Sequence, residues 1–122
     1  MKLHIPIYNG DVWVFLHKSE FIEALEELHD DPEVQKNTYG DFWCSRDLET
    51  ESPIYLIGVY EYDIDTLVHE INHAALNIIE NAGFSAHDGN GEPFCYLSDY
   101  LVGEIYPWFL EQTKKESDNA RI

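Results

Sequence analysis

A five-residue pattern, His69-Glu70-Ile71-Asn72-His73, carries the clearest chemistry in the sequence. It falls in a stretch with helical periodicity, so its two histidines are offset by only about 40° around the helix and about 6 Å along it. Both imidazoles can therefore reach one tetrahedral zinc ion at about 2.0–2.1 Å. Glu70 occupies a neighbouring strip of the helix, where its carboxylate can act on water at the metal without being a ligand. The pattern predicts a zinc site with a general base beside it.

A helical wheel separates the two histidines from the apolar face of this segment. The apolar face is formed by Leu67, Val68, Ile71, Ala74, Ala75, Ile78, Ile79 and Ala82. Histidines of the core would lie within this arc, whereas His69 and His73 lie outside it, where they can line a cleft between this helix and the next. The alternative is a surface helix with two exposed histidines and a glutamate, because short motifs also arise by chance.

A catalytic zinc site needs a third protein ligand and one open position. The candidates by residue type are His87, Asp88, Glu92 and Asp99. Glu92 stands at the predicted start of the following helix, and Asp99 lies on the same side of that helix, which fits a ligand and a carboxylate that orients a histidine. His87, in a polar loop, is the alternative ligand. Glu92 also suits a plain acid at a helix N-terminus, and Asp99 a solvent-facing residue.

Two tyrosines, Tyr96 and Tyr100, follow Glu92 by one and two helical turns. A tyrosine hydroxyl can stabilise an oxyanion, which makes both candidates for that role. The alternative is that they are amphipathic packing residues.

The rest of the chain predicts the elements that must position these side chains. Alternating apolar residues predict a strand at 3–7, and segments rich in β-branched and aromatic residues predict strands at 11–17, 41–46 and 54–62. Helical periodicity predicts helices at 19–29, at 66–82 and from 92 towards Pro107, where the last helix kinks or ends. A loop with a short helical turn is expected from residue 32 to residue 40. This order predicts an α+β fold, in which a small, mostly antiparallel sheet carries the histidine helix and a following Glu-bearing helix.

Local signals set the ends of several elements. Asn9-Gly10 is typical of a hairpin turn between the first two strands. Ser19 can cap the first helix, Asp63 or Asp65 can cap the second, and Gly83 can close the second in a left-handed conformation. A chain of 122 residues is expected to form one domain, here over 1–114, with a charged, disordered tail at 115–122.

The net charge of −17 is extreme for this length. It argues against direct nucleic-acid binding, which needs Lys and Arg at the phosphates. It fits a solvated acidic surface that keeps the protein soluble, which is the simplest interpretation, a basic partner protein, or mimicry of the charge of DNA. The sequence has neither an apolar run of membrane-spanning length nor the features of a signal peptide, which indicates a cytoplasmic protein without membrane contact.

Two segments carry a resemblance to a known family. Residues 66–75, TLVHEINHAA, and 92–97, EPFCYL, resemble the active-site helix and the Glu-bearing helix of the gluzincin branch of zinc metallopeptidases. They are more similar still to small proteins of unassigned function encoded by tailed phages and prophages, which share the HExxH motif, a short polar loop and an EP-aromatic motif. The resemblance extends over residues 54–110. It implies a minimal zincin fold, one zinc ion per chain held by His69, His73 and Glu92, and Glu70 as general base.

Three functions follow as hypotheses. The first is a phage- or prophage-encoded zinc metallopeptidase that cleaves a peptide or protein amide in the host cytoplasm, with the substrate paired to the sheet edge near residues 54–60. The second is an acidic binding or inhibitor protein, a host-protein binder or DNA mimic, that has the same fold without catalysis. The third is a purely structural zinc, which is disfavoured because such sites prefer cysteine and would leave Glu70 without a task.

Overall fold

The structure is a computed structural model of the chain that describes residues 1–31 and 39–120, with side chains to residue 117. Within these residues it contains four strands and three α-helices. Their bounds, in chain order, are β1 (Lys2–His4), β2 (Asp11–Phe15), α1 (Lys18–Glu27), β3 (Gly40–Arg46), β4 (Pro53–Val59), α2 (Ile64–Asn81) and α3 (Glu92–Ala120). A short 3₁₀ turn, Asp88–Gly91, precedes α3. The α+β class predicted from the sequence is confirmed.

The sheet is mixed, with the spatial order β1-β2-β4-β3. β1 pairs with β2 and β3 pairs with β4 in antiparallel fashion, whereas β2 and β4 are parallel. The predicted sheet was mostly antiparallel, and the parallel central pair was not expected. It arises because α1 and β3 intervene between β2 and β4, and a parallel pair needs such a long connection.

The strand β4 is covered on both faces. Ile54 and Leu56 face α1 and pack with Phe21, Ala24 and Leu25. The alternate residues Tyr55, Ile57 and Val59 belong to the larger core beneath α2 and α3. β4 lies between β2 and β3, so the prediction of a sheet edge near residues 54–60 is wrong. Among the described strands, the edge on this side of the sheet is β3.

The ends of α2 follow the local signals. The Asp63 side chain accepts a hydrogen bond of 3.1 Å from the backbone N–H of Asp65, so Asp63 is the N-cap. Gly83 has φ +92° just beyond the last turn, a left-handed conformation that glycine adopts without a steric penalty. The buried apolar face of α2 comprises Leu67, Ile71, Ala74, Ala75, Ile78 and Ile79, as the wheel predicts apart from Val68 and Ala82.

Other boundaries differ from the prediction. β1 ends at His4, and a loop rather than a tight turn leads to Gly10, because Pro6 cannot donate a ladder hydrogen bond and Ile7 has φ +56°. The predicted cap at Ser19 is wrong: the N-cap of α1 is His17, without a side-chain hydrogen bond.

The last helix is longer than its sequence suggests. α3 continues through Pro107 to Ala120, and so includes residues 115–120 of the predicted tail. The domain limits stay a prediction. The loop and helical turn predicted before Gly40 fall at 32–38, outside the described residues. None of the helices described here is long and apolar enough to cross a membrane.

Candidate metal centre

His69 and His73 lie side by side on the exposed strip of α2. Their Nε2 atoms are 3.2 Å apart, and their rings meet edge to face with centroids 4.8 Å apart. The His73 ring also stacks on Phe42 of β3, with centroids 5.9 Å apart and 16° between the planes. The sheet therefore restrains His73 from one side, and the pair places two ring nitrogens in the same small volume.

A cleft of about 350 Å³ opens beside the histidine pair. Its walls are formed by α2, by the loop before α3 and by the first turn of α3, through His69, Asn72, His73, Leu76, Ala86 and Phe94. The Ser98 hydroxyl donates to Asn72 Oδ1 at 2.8 Å, which ties α3 to α2 at the edge of the cleft. The histidines thus border a cavity between the two helices.

Glu70 is buried although it lies between two exposed histidines. Only 6% of the residue is exposed, and Oε1 lies 3.9 Å from His69 Nε2. Its other oxygen, Oε2, is buried and has no hydrogen-bond partner among the described residues. Burial raises the pKa of the Glu70 carboxyl, the nearby His69 opposes the rise, and the Asp41 carboxylate adds to it. A buried carboxylate oxygen without a partner is costly, which points to a group kept for a ligand or for chemistry.

The start of β3 covers Glu70 at very short range. A Cβ atom at Gly40 would lie 2.6 Å from the Gly58 carbonyl oxygen, 2.9 Å from Thr66 Cγ2 and 3.2 Å from Glu70 Cγ. Any other residue would have to displace the β4 backbone at Gly58 and the Thr66 and Glu70 side chains of α2. The backbone of the edge strand therefore packs directly on the stem of Glu70.

Asp41 and Tyr60 extend the polar surroundings of Glu70. The Tyr60 hydroxyl donates to Asp41 Oδ2 at 2.8 Å. Burial, the hydrogen bond to Asp41 and the Asp41 charge all raise the pKa of Tyr60 above its usual range, and Glu70 adds to the rise. Sequence reasoning missed both residues. The available signal was an acid at the start of one predicted strand and a tyrosine at the end of the next.

The other predicted metal residues are not among the described residues that line the histidine cleft. Glu92, Asp99 and His87 are all exposed, and within the described residues none of them forms a hydrogen bond or ion pair with His69 or His73. Phe94 and Ala86 line the cleft, so the first turn of α3 and the loop before it border the histidine pair. Which residue completes the site stays a prediction.

Tyr96 and Tyr100 lie elsewhere. Both line a separate groove, together with residues 5–8 of the β1–β2 loop. The structure does not bring them into the histidine cleft, so an oxyanion role for either has no geometric support.

The paired nitrogens fit two ligands of one zinc ion. Bonds of about 2.0–2.1 Å to both atoms would enclose an angle of about 100°, close to the tetrahedral value. Partial burial and the neighbouring His69 lower the pKa of His73, which favours the neutral imidazole that binds metals. Within the described residues, no group of three or more His, Cys, Asp or Glu side chains is arranged to hold a metal ion. The histidine pair is the part of the predicted site that is brought together.

Comparisons of the chain with family models, with curated proteins and with solved structures give no match.

Proposed function

We propose that the protein is a zinc-dependent hydrolase of peptide amides, with His69 and His73 as zinc ligands and Glu70 as general base. One observation carries the proposal: two imidazole nitrogens 3.2 Å apart stand beside a buried carboxylate with an unpartnered oxygen. A surface pair of histidines would not need that carboxylate. The resemblance of the HExxH and EP-aromatic segments to gluzincins and to small phage proteins supports a minimal zincin of phage or prophage origin.

The mechanism assigns proton transfer to Glu70. His69 and His73 would hold the zinc ion, which would supply the Lewis acidity that polarises a scissile carbonyl and acidifies water. Glu70 accepts the proton of the attacking water at a carboxylate oxygen and delivers it to the leaving amine nitrogen. Burial makes this carboxylate a stronger base than an exposed one, because it disfavours the charged form.

The third ligand is assigned to Glu92. This assignment rests on the resemblance to gluzincins and on the position of Glu92 in the first turn of α3, where a residue is already ordered before the metal binds. A ligand from the loop, such as His87, would add an ordering cost of about 1–2 kcal/mol for each backbone residue fixed. In this assignment Asp99 orients one of the ligand histidines and does not bind the metal itself.

The substrate is assigned to the edge of the sheet at β3. This strand is the described edge beside the histidines, and its residue Phe42 stacks on His73. An extended peptide added to β3 would use backbone hydrogen bonds and lie along the metal site. A peptide in that position brings an amide carbonyl close to Glu70.

Metal binding tests the proposal directly. Protein purified without chelator should carry about one zinc ion per chain, the stoichiometry of a single tetrahedral site. His69→Ala and His73→Ala should lose the metal, whereas His4→Ala, which removes an exposed histidine bonded to Asp11, should keep it. Elemental analysis and zinc titration against a competing chelator give the values. Metal-free protein that does not bind added zinc would contradict the proposal.

The same titration separates the candidates for the third ligand. Glu92→Ala should weaken zinc affinity by at least about tenfold, and His87→Ala should change it little. Asp99→Ala should fall between them, because loss of a residue that orients a ligand typically costs about 10–100-fold. A larger loss in His87→Ala would replace the gluzincin assignment with a three-histidine site.

A second function, binding of a basic host protein without catalysis, is favoured by the net charge of −17. Mimicry of DNA belongs to the same class. Protein that folds and binds no zinc would favour this function over the first.

A further inference from the structure

An apolar groove of about 280 Å³ separates the β1–β2 loop from α3. We call it the tyrosine groove, after its three tyrosines. Its principal walls are proline, isoleucine and tyrosine side chains: Pro6, Ile7, Tyr8, Pro93, Tyr96 and Tyr100. It shares none of its lining residues with the histidine cleft.

On the loop side of the groove, an exposed apolar residue has a strained backbone conformation. Ile7 is 99% exposed and has φ +56°. A β-branched residue in this left-handed region is a genuine outlier. Since its side chain stands in water, packing within the chain does not offset the strain. Opposite the loop, Tyr96 is 70% exposed. Strain and exposed apolar surface at one place indicate a contact with another molecule.

The helix side of the groove is acidic. Glu92 and Asp99 lie four residues before and three residues after Tyr96, so both adjoin it on the helix surface. Glu104 lies four residues after Tyr100 and adjoins that tyrosine in the same way. All three acids are exposed, and among the described residues neither Lys nor Arg lines the groove. A basic partner complements this surface, whereas a second copy of the chain would bring another net charge of −17 against it.

The groove's size and walls restrict the shape of the partner. Ligand pockets typically measure roughly 300–1,000 Å³, and this groove of about 280 Å³ lies just below that range, which suits a short segment rather than the face of a long helix. Aromatic-lined grooves recognise proline-rich segments in the polyproline II conformation. Such segments are preformed, so they lose little entropy on docking.

We propose that the tyrosine groove docks a basic, proline-rich segment of another protein. The proline and aliphatic side chains of the segment pack between Ile7 and Tyr96, and its Lys or Arg residues meet the acids of α3. The docking needs neither zinc nor catalysis, so it goes beyond the proposed hydrolase.

A labelled peptide with a Pro-Pro-Leu-Pro core flanked by arginines tests the proposal by fluorescence anisotropy. It should bind the full chain, and the affinity should fall with added salt. Two matched peptides serve as controls, one with glutamates in place of the arginines and one with glycine and serine in place of the core. Both should bind much more weakly. Equal binding of all three, or no binding of the basic peptide, would overturn the proposal.

Protein variants locate the binding site. Ile7→Asn and Tyr96→Ala should each weaken binding by about tenfold or more, the size of a hot-spot loss. Tyr39→Ala removes a tyrosine of similar exposure, 65%, outside the groove and should leave the affinity unchanged. Ile7→Asn should also raise the melting temperature, because asparagine tolerates the left-handed conformation. Its lost binding could then not be ascribed to unfolding.

Two further outcomes would decide against this partner. Unchanged affinity in both groove variants would place the peptide elsewhere on the acidic surface. A dimer in sedimentation that Ile7→Asn dissociates would assign the groove to a second copy of the chain. All measurements are made in the presence of a chelator, so that Glu92 and Asp99 are free of the proposed metal site and the result does not depend on it.

Discussion

The carboxylate of Glu70 is held in a state that costs folding free energy. One oxygen is buried without a partner among the described residues, and burial raises the pKa of the group. Sites where a charged group is stripped of water and left incompletely paired are typical of function rather than of stability.

Glutamine has the shape of glutamate without its charge, so Glu70→Gln should raise the stability of the protein while it removes the activity. Glu70→Gln in the presence of chelator should be more stable by about 1 kcal/mol, because an amide carries no charge to desolvate. It should keep zinc affinity and lose peptide hydrolysis. Urea denaturation, zinc titration and mass spectrometry of a peptide mixture measure the three effects. Glu80→Gln, an exposed acid on the same helix, is the control and should change none of them. Equal hydrolysis by Glu70→Gln and the unmodified protein would exclude the general-base role.

Ile7 offers an independent measurement of strain. Its left-handed conformation costs an L-residue about 1–2 kcal/mol, and its side chain is 99% exposed. Ile7→Asn should therefore stabilise the protein by about 1 kcal/mol, measured by urea denaturation. Ile7→Val, which keeps the branched Cβ, should not stabilise it. A loss of stability in Ile7→Asn would show that the side chain packs in the folded state.

At the residue scale, the sequence predicts the exposure of the two histidines of α2 better than the burial of Glu70. The wheel places both histidines outside the apolar arc because helix periodicity is local. It leaves Glu70 only about 40° from the edge of that arc, too close to assign burial by position alone. The group that covers Glu70 is the backbone at Gly40, thirty residues earlier in the chain, and no local pattern encodes that contact.

The close approach of β3 and α2 is the contact between elements that shapes the site. The strand meets the helix at Gly40, and two residues later Phe42 stacks on His73. Any displacement of β3 therefore moves both the backbone that covers Glu70 and the Phe42 ring that stacks on His73, a proposed zinc ligand.

A pair of glycine substitutions tests this coupling. Gly40→Ala should destabilise the protein by about 1–3 kcal/mol, the usual cost of overpacking, since the Gly58 carbonyl cannot move freely. It should also weaken zinc affinity. Gly103→Ala is the matched control: its Cβ would meet nothing within 4 Å on α3, and it should stabilise by about 0.5–1 kcal/mol. Unaltered zinc affinity in Gly40→Ala would mean that the histidine pair is independent of β3.

The elements themselves follow from the sequence more readily than their arrangement. The left-handed closure at Gly83 was predicted, and the N-cap was narrowed to Asp63 or Asp65, because both signals are local. The parallel pairing of β2 with β4 joins segments about forty residues apart, so periodicity cannot reveal it. One signal was present: residues 54–59 are all buried, and such an unbroken apolar run is typical of a central strand covered on both faces.

The charge of the whole molecule opposes its own folding. Twenty-four acidic side chains face seven basic ones, and a compact chain brings the excess together. On α1 the repulsion is local as well, because Glu23 lies three or four residues from Glu20, Glu26 and Glu27, all of them exposed. Like charges at these spacings each cost about 0.2–0.5 kcal/mol.

Added salt and a single charge reversal should therefore both stabilise the protein, because each weakens the repulsion between acidic side chains. Between about 0.01 M and about 1 M NaCl the Debye length falls from about 30 Å to about 3 Å, so the free energy of unfolding should rise, by on the order of 1 kcal/mol. Glu23→Lys turns three repulsions into attractions and should add about 1 kcal/mol at low salt and little at high salt. Glu23→Gln should give about half of that gain. Urea denaturation across the salt series measures all three proteins, and a gain in Glu23→Lys that does not decline with salt would indicate helix propensity instead of charge as its cause.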